Sequence, residues 1–204
     1  MIPPTTFALF VTASLALVLI PGPNHLYIVA RGLAQGRAAG LASALGVEVG
    51  TLAHITAAAA GLSYVISRSA TLFAVVKWAG VAYLVYLGLR ALTGKRERGG
   101  APAPQPLAKV FLEGVLVNML NPKVALFFLA FLPQFVDPAA GSPALQVVLF
   151  GLTLLLLGLV SDIVYACAAG TLGHRLTTRA GDLRYVSGVV YLGMGLAAAF
   201  TGRK

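Results

Sequence analysis

The sequence predicts an all-α integral membrane protein with six transmembrane helices in two inverted three-helix repeats. Of its 204 residues, 58% are hydrophobic and only 10% are charged, whereas a soluble domain carries roughly a quarter charged residues. Six stretches contain the roughly 20 apolar residues that a spanning helix needs. The first and the fourth of these stretches are each interrupted by proline, so we predict that the first and fourth helices are broken.

The six predicted spans form two sets of three, at residues 5–30, 38–66, 70–92, 110–136, 143–173 and 186–201. A polar linker rich in glycine, proline and charge separates the two sets. Because each set has an odd number of spans, the two halves must cross the membrane in opposite orientations, as inverted repeats do. We therefore expect one transporter domain, residues 1–204, made of a first repeat, a cytoplasmic linker and a second repeat, at residues 1–92, 93–109 and 110–204.

The basic residues predict the orientation of the spans. Most Lys and Arg lie in the segments after the first, third and fifth spans, and such residues favour the cytoplasmic side. Both termini are then outside, unless the fourth span is re-entrant and one terminus changes side. The first 30 residues contain no Lys or Arg, so we expect no signal peptide. The net charge of +9 fits contacts with anionic lipid, and no nucleic-acid-binding motif accompanies it.

The two interruptions are the predicted substrate-binding positions. They consist of Pro21, Gly22, Pro23 and Asn24 in the first span, and of Asn121, Pro122 and Lys123 in the fourth. Proline breaks a helix, and Gly or Asn followed by Pro starts a new one. The start of a helix attracts anions, and Lys123 adds a positive charge. Matching breaks in two halves indicate a transporter's binding site, although prolines can also kink helices for packing alone.

Asp162 lies within the fifth predicted span, where a charge is costly and usually functional. Its neighbours one helical turn away include Gly158 and Tyr165, so this small and polar face should look into the helix bundle. We predict that Asp162 carries a coupling proton or binds a substrate ammonium group. The alternative is a structural partner for Lys123 or Lys77.

Glu48, in the second predicted span, is a second candidate for proton coupling or ammonium binding. Glycines recur on this span and just before it at Gly36, Gly40, Gly46 and Gly50. Such spacing lets helices approach closely, so we predict helix packing there, which would also permit a homodimer. Gly46 and Gly50 lie nearly opposite Glu48 on the helix, and the sequence leaves open which of the two faces lines a cavity. No metal-binding or cofactor-binding motif is present, so neither group is predicted.

Several motifs together resemble the LysE/RhtB family of amino-acid exporters. They occur in order along nearly the whole chain, as Pro21-Gly22-Pro23-Asn24, Gly36-Arg37-Ala38-Ala39-Gly40, Ala44-Leu45-Gly46, Lys77-Trp78-Ala79-Gly80 with Tyr83-Leu84, Asn121-Pro122-Lys123 with Phe127-Phe128, and Leu132-Pro133-Gln134-Phe135. The resemblance implies a carrier of the bacterial inner membrane that exports amino acids or related metabolites, driven by the proton gradient. It also implies that both breaks matter to transport. Thr51 stands where some branches of the family carry an acidic residue.

The predicted function is therefore secondary-active export of small neutral amino acids such as homoserine, threonine or leucine. The substrate carboxylate would sit at the two half-helix starts beside Lys123. Basic amino acids and other small metabolites are alternative substrates. A membrane enzyme acting on lipid would need a polar catalytic cluster at the interface, and a passive channel would need rings of acidic residues. The sequence shows neither pattern, so we expect a transporter and not an enzyme.

Overall fold

The structure is a computed structural model that describes residues 2–20, 22–68 and 103–172, together with positions 75, 78, 81, 82, 85, 86, 89, 192 and 196. These residues form helices and turns, with no β-strand among them, which confirms the predicted helical class. Pro21, Lys77 and most of the third and sixth predicted spans lie outside the described residues. The arrangement into two repeats of three spans therefore stays a prediction.

The first predicted span is two helices, α1 (Pro4–Leu19) and α2 (Pro23–Gln35), which are bent by 46° at the break between them. Gly22 is the N-cap of α2 and Pro23 opens its first turn, as expected where the proline ring presets the helical backbone. The chain thus leaves one helix and starts another within the predicted span.

Gly36 ends α2 and corrects one packing prediction. Its φ of 82° lies in the left-handed region that glycine tolerates, and its amide donates to the Gly32 carbonyl at 2.9 Å, as in a glycine C-cap. Within the part of the chain that the structure describes, a Cβ placed on Gly36 would meet no atom within 4 Å. Gly36 is therefore a helix terminator, and the prediction that it packs against another helix is wrong.

Helix α3 (Arg37–Arg68) follows directly and approaches its neighbours through glycine. A Cβ at Gly40 would lie 3.1 Å from the Ala166 Cβ, and one at Gly50 would lie 2.7 Å from the Asn118 Cβ. Gly46 lies against the Phe111 backbone. Since these contacts leave no room for a side chain, the glycines let the helix backbones come close together.

The second broken span begins with α4 (Leu107–Met119), which starts inside the stretch predicted as linker. After the break, α5 (Pro122–Leu126) continues into a π-helical turn, Phe127–Phe131, and a 3₁₀ turn, Leu132–Phe135. The bend between the two parts is again 46°. A final 3₁₀ turn, Pro138–Ala140, precedes α6 (Pro143–Leu172).

Two of the described helices are long and apolar enough to cross a membrane, over Arg37–Gly61 and Pro143–Ala169. The number rises to four if each bent pair forms one span. Many large apolar side chains on these helices are exposed, for example Leu9 at 65% and Leu156 at 61%. A surface of this kind suits lipid better than water.

Aromatic rings pack the two broken spans against α6. The Phe10 ring of α1 lies 4.5 Å from the Phe150 ring of α6 and 5.2 Å from the Phe135 ring, measured between centroids. Phe127 completes the contact at 5.9 Å from Phe10. This cluster packs the first half of one broken span against the second half of the other, beside the long helix α6.

A polar cluster holds the far end of α2. Arg31 is buried, and its guanidinium pairs with the Glu113 carboxylate of α4 at 2.8 Å. The same guanidinium donates to the Ala103 carbonyl at 3.0 Å, and Gln35 donates to the Gln105 carbonyl at 2.7 Å. These bonds attach α2 to the segment that leads into α4.

Candidate functional site

The two breaks are in direct contact. Asn121 Nδ2 in the second break donates to Asn24 Oδ1 in the first at 2.8 Å, although 97 positions separate them in the sequence. Lys123 Nζ donates to the carbonyl of Ile20, where α1 ends, at 2.9 Å. The two interruptions of the helices therefore form one polar region inside the helix bundle.

A cavity of about 50 Å³ lies at this junction, which is space for a few water molecules. The breaks, α3 and α6 contribute its lining residues, which are Leu17, Val18, Gly22, Asn24, His25, Val47, Glu48, Thr51, Asn121, Lys123, Val124, Leu154, Gly158 and Asp162. Six of the nine residues predicted for substrate or proton binding thus line one cavity. Pro23 and Pro122 open the first turns of α2 and α5, and Pro21 lies outside the described residues.

Four ionisable side chains from four different helices meet around this cavity. Their exposed fractions are small, at 6% for His25, 7% for Glu48, 6% for Lys123 and 3% for Asp162. Burying a charge in an apolar medium costs free energy unless partners compensate, and within membranes such groups mark substrate or ion pathways. This concentration of buried charge makes the cavity the candidate functional site.

Asp162 faces the first break from α6. Its Oδ1 lies 3.4 Å from His25 Nε2, and its carboxyl group is near enough to Lys123 and Glu48 to interact with both electrostatically. The ammonium group of Lys123 is held by the Ile20 carbonyl. Asp162 as a structural partner for Lys123 therefore stays an alternative to its predicted role in binding.

Glu48 reaches the same cavity from α3, and Gly158 of α6 makes room for it. A Cβ at Gly158 would lie 2.7 Å from Glu48 Oε1. Glu48 Oε2 is buried and has no hydrogen-bond partner among the described residues. The glycine face of α3 packs against α4, whereas the Glu48 face lines the cavity. The structure thus resolves the choice that the sequence left open, because the Glu48 carboxyl group lies at the cavity beside Asp162.

His25 is the site residue that the sequence reasoning missed. It lies directly after the first break, at the third position of α2, and its ring packs 4.4 Å from the Tyr165 ring. The available signal was an ionisable residue inside a predicted span, which is costly in a membrane. The proline and glycine of the break gave a stronger local signal than the histidine that follows them.

The second break is stabilised by α3. The end of a helix leaves carbonyl groups without helical partners, and the Asn118 carbonyl of α4 interacts with His54 Nε2 at 3.1 Å. The Asn118 side chain donates to Thr51 Oγ1 at 2.7 Å and to the Val47 carbonyl. These bonds fix the end of α4 against α3. Among the described residues, no group of three or more His, Cys, Asp or Glu could hold a metal ion.

Comparison with known proteins places these features in a family. The LysE type translocator family model matches residues 15–202. An uncharacterized membrane protein of Pseudomonas aeruginosa is 31% identical over 98% of this chain and 85% of its own length, and one of Vibrio cholerae is 28% identical over 89% and 90%. A leucine efflux protein of Klebsiella pneumoniae is 30% identical over 71% of this chain and 70% of its own length. No solved structure matches the chain significantly.

Proposed function

Because the chain belongs to the LysE type translocator family, we propose that it exports neutral amino acids across the bacterial inner membrane in exchange for protons. The match to the family model confirms the family that the sequence motifs predicted. Apolar helices of spanning length and relatives described as membrane proteins make the chain a multi-pass membrane protein. The proposal concerns the class of substrate, the coupling of transport to protons and the location in the inner membrane.

One observation carries the proposal: a cavity between the two breaks brings the buried side chain of Lys123 together with the carboxyl groups of Glu48 and Asp162. An amino acid is a zwitterion, so its site must offer a cation or N–H groups to the carboxylate and acceptors to the ammonium group. Both kinds of group surround one volume of about 50 Å³, so the site must widen to take up an amino acid. An uncharged metabolite would not account for this combination of costly buried charges.

We assign the substrate carboxylate to the start of α2 and to Lys123. Gly22 and Asn24 of that first turn line the cavity, and a helix start carries a partial positive charge. The start of α5 is less available, because Asn121 Oδ1 already accepts from the Lys123 amide at 3.0 Å. This assignment narrows the sequence prediction, which used both half-helix starts equally.

The substrate ammonium group is assigned to Glu48 and Asp162. Glu48 Oε2 is a buried acceptor without a partner among the described residues, and an ammonium group supplies the donors that it lacks. Asp162 lies within electrostatic range of Glu48. Two carboxylates can share one cation, which removes much of their mutual repulsion.

The apolar part of the cavity favours a neutral side chain. Its wall consists of Leu17, Val18, Val47, Val124 and Leu154, and it offers no carboxylate beyond the two already assigned to the ammonium group. A lysine or arginine side chain would therefore bury a second cation without a partner, which is costly. Relatives named leucine efflux proteins support a small aliphatic substrate.

Proton coupling follows from the same two carboxyl groups. Two neighbouring carboxyl groups in apolar surroundings ionise together only at a high electrostatic cost, so one of them holds a proton while the site is empty. A substrate ammonium group displaces that proton, because both cations cannot occupy the same acceptors. Release of the amino acid outside would allow a proton to bind, and that proton is carried inward as the empty site returns.

Efflux from proteoliposomes loaded with labelled leucine, threonine, homoserine or lysine tests the proposal. With a proton gradient directed inward, we expect saturable efflux of neutral amino acids and little efflux of lysine. Asp162→Asn and Lys123→Gln should reduce efflux to background. Thr153→Val is the matched control on α6, because its exposed hydroxyl bonds only to the Leu149 carbonyl of its own helix. Wild-type efflux that survives both site substitutions would overturn the assignment.

A further inference from the structure

The first break is held together by side chains from elsewhere in the molecule. Three successive carbonyls at the end of α1 each accept a hydrogen bond from such a side chain. Ser161 Oγ donates to Val18, Tyr165 Oη to Leu19 and Lys123 Nζ to Ile20, at 3.1, 3.3 and 2.9 Å. Two of these donors lie on α6 and the third on α5. The geometry of the break therefore depends on where α5 and α6 lie.

On the other side of the break, the amide of Gly22 donates to His25 Nδ1 at 3.4 Å. This contact fixes the tautomer, because a ring nitrogen that accepts carries no proton and the proton must lie on Nε2. Nε2 faces Asp162 Oδ1 at 3.4 Å and Ser161 Oγ at 3.5 Å. The hydroxyl hydrogen of Ser161 is directed to the Val18 carbonyl, so its oxygen is free to accept. The imidazole thus bridges the backbone of the first break and the carboxylate of α6.

We propose that His25 is a positioning residue that transmits the proton occupancy of the Asp162 pair to the start of α2. A neutral imidazole can accept from Gly22 and donate to Asp162 at the same time. When Asp162 takes up a proton, its O–H can donate to Nε2, and the neutral ring then carries its own proton on Nδ1 and gives up the Gly22 amide. A proton that enters the pair from outside therefore loosens the cap of α2. The angle between α1 and α2 responds to the proton that drives transport.

The surroundings of the ring make His25 responsive to the site. Asp162 and Tyr165 face it from α6, and Lys123 of α5 and Glu48 of α3 line the same cavity. An ionised Asp162 accepts from Nε2 and so keeps Nδ1 free to accept from Gly22. A substrate ammonium group that displaces the proton from the pair would restore this state. The substrate and the proton would therefore have opposite effects on His25, and this inference depends on the proposed amino-acid export.

Two substitutions keep an acceptor for the Gly22 amide but remove the imidazole. In His25→Asn the side-chain oxygen can replace Nδ1 as the acceptor for Gly22. In His25→Gln the amide oxygen at the third position of α2 can do the same, as in a capping box, and neither side chain has tautomers that depend on Asp162. The assay is leucine efflux from proteoliposomes at a series of external pH values. Leucine–leucine exchange across the same vesicles at equal pH serves as a measure of substrate binding and folding, and Thr153→Val is the unperturbed control.

For the wild type we expect efflux to change by about tenfold per pH unit on the limb that a single protonation controls. His25→Asn should keep exchange within about threefold of the wild type and lose most of this pH dependence. His25→Gln should behave in the same way, because its amide oxygen can also cap α2. If His25→Asn fails to reach the membrane, the same loss of pH dependence is required of His25→Gln in whatever efflux remains.

A wild-type pH profile in both variants would overturn the role of His25 and leave amino-acid export intact. Loss of exchange and net efflux in parallel for His25→Asn, with an unchanged pH profile, would reduce His25 to a structural residue and also overturn the inference. Absence of any amino-acid efflux from the wild type would instead overturn the proposed function itself.

Discussion

The two breaks in the helices have the same bend but are stabilised in different ways. Each pair of half-helices is bent by 46°. In the second break, Asn121 caps its own helix by accepting from the Lys123 amide, and side chains of α3 hold the end of α4. In the first break, two of the partners of the backbone, the neighbouring His25 and the distant Lys123, are ionisable residues of the cavity.

This difference indicates which break can respond to a ligand. The side chains that hold the second break are not the ones assigned to the substrate or the proton, so we infer that the second break is a fixed wall of the cavity. The bonds of the first break use the same groups that would meet the substrate and the proton. We therefore infer that the first break is the hinge of alternating access, in which one part of the bundle moves relative to another.

Lys123→Gln should have the largest effect. Lys123 is part of the second break in the sequence, and its side chain bonds to the first break in the structure. This substitution removes the cation assigned to the substrate carboxylate and the charged donor to the Ile20 carbonyl. A hydrogen bond to a charged group is worth roughly 1.5–3 kcal/mol, so leucine efflux should fall by about a hundredfold or more. Efflux from proteoliposomes measures this. A loss no greater than that of Asn121→Ala would remove the distinction between the two breaks.

Gly50→Leu should destabilise the fixed wall. A Cβ at Gly50 lies 2.7 Å from the Asn118 Cβ and 2.9 Å from the Val115 carbonyl oxygen, so the backbones of α3 and α4 must separate. Overpacking of this kind costs about 1–3 kcal/mol. We expect a lower temperature of thermal unfolding in detergent. Gly61→Leu is the control, since a Cβ at Gly61 meets no atom of the described residues within 4 Å. Equal unfolding temperatures for the two variants would contradict the packing described for α3 and α4.

Asn121→Ala should have a moderate effect on stability and a small one on transport. Loss of an N-cap costs about 1 kcal/mol, and the bond to Asn24 is lost as well. The break remains in place because Pro122 still starts α5. Asn121→Asp keeps the cap and loses only the donor to Asn24. If thermal unfolding ranks Asn121→Asp below Asn121→Ala, the local cap is not what stabilises the second break.

Glu113→Gln should have the smallest effect, because its ion pair lies away from the cavity. Arg31 pairs with Glu113 at 2.8 Å, and in Glu113→Gln the side-chain amide oxygen can still accept from the buried Arg31 guanidinium. We expect leucine efflux within about twofold of the wild type. A larger loss in the same efflux assay would show that the far end of α2 also controls the hinge.

The sequence predicted the elements that depend on local chemistry. Asn121 followed by Pro122 is an N-cap with proline at the first turn, and Gly22 followed by Pro23 reads in the same way, so both breaks could be located from neighbouring residues alone. The lengths of α3 and α6 likewise followed from uninterrupted apolar runs. Membrane spans can be recognised in a sequence because the backbone N–H and C=O groups of each span must form hydrogen bonds within that span.

The sequence could not predict which distant side chains complete the first break. Ser161 and Tyr165 bond to carbonyls of α1 more than a hundred residues earlier in the chain, and no local pattern specifies such contacts. Gly36 was misassigned for a related reason. A glycine that ends a helix and one that packs between helices have the same spacing, and only the backbone conformation distinguishes them.

Proton release on leucine binding tests the central claim most directly. Purified protein in weakly buffered detergent solution is titrated with leucine while a pH indicator reports on the solvent. If one ammonium group displaces one proton from the Glu48–Asp162 pair, about one proton should be released per leucine bound, and Asp162→Asn should release none. Leucine binding without proton release, or with proton uptake, would contradict the exchange of substrate for proton in this cavity.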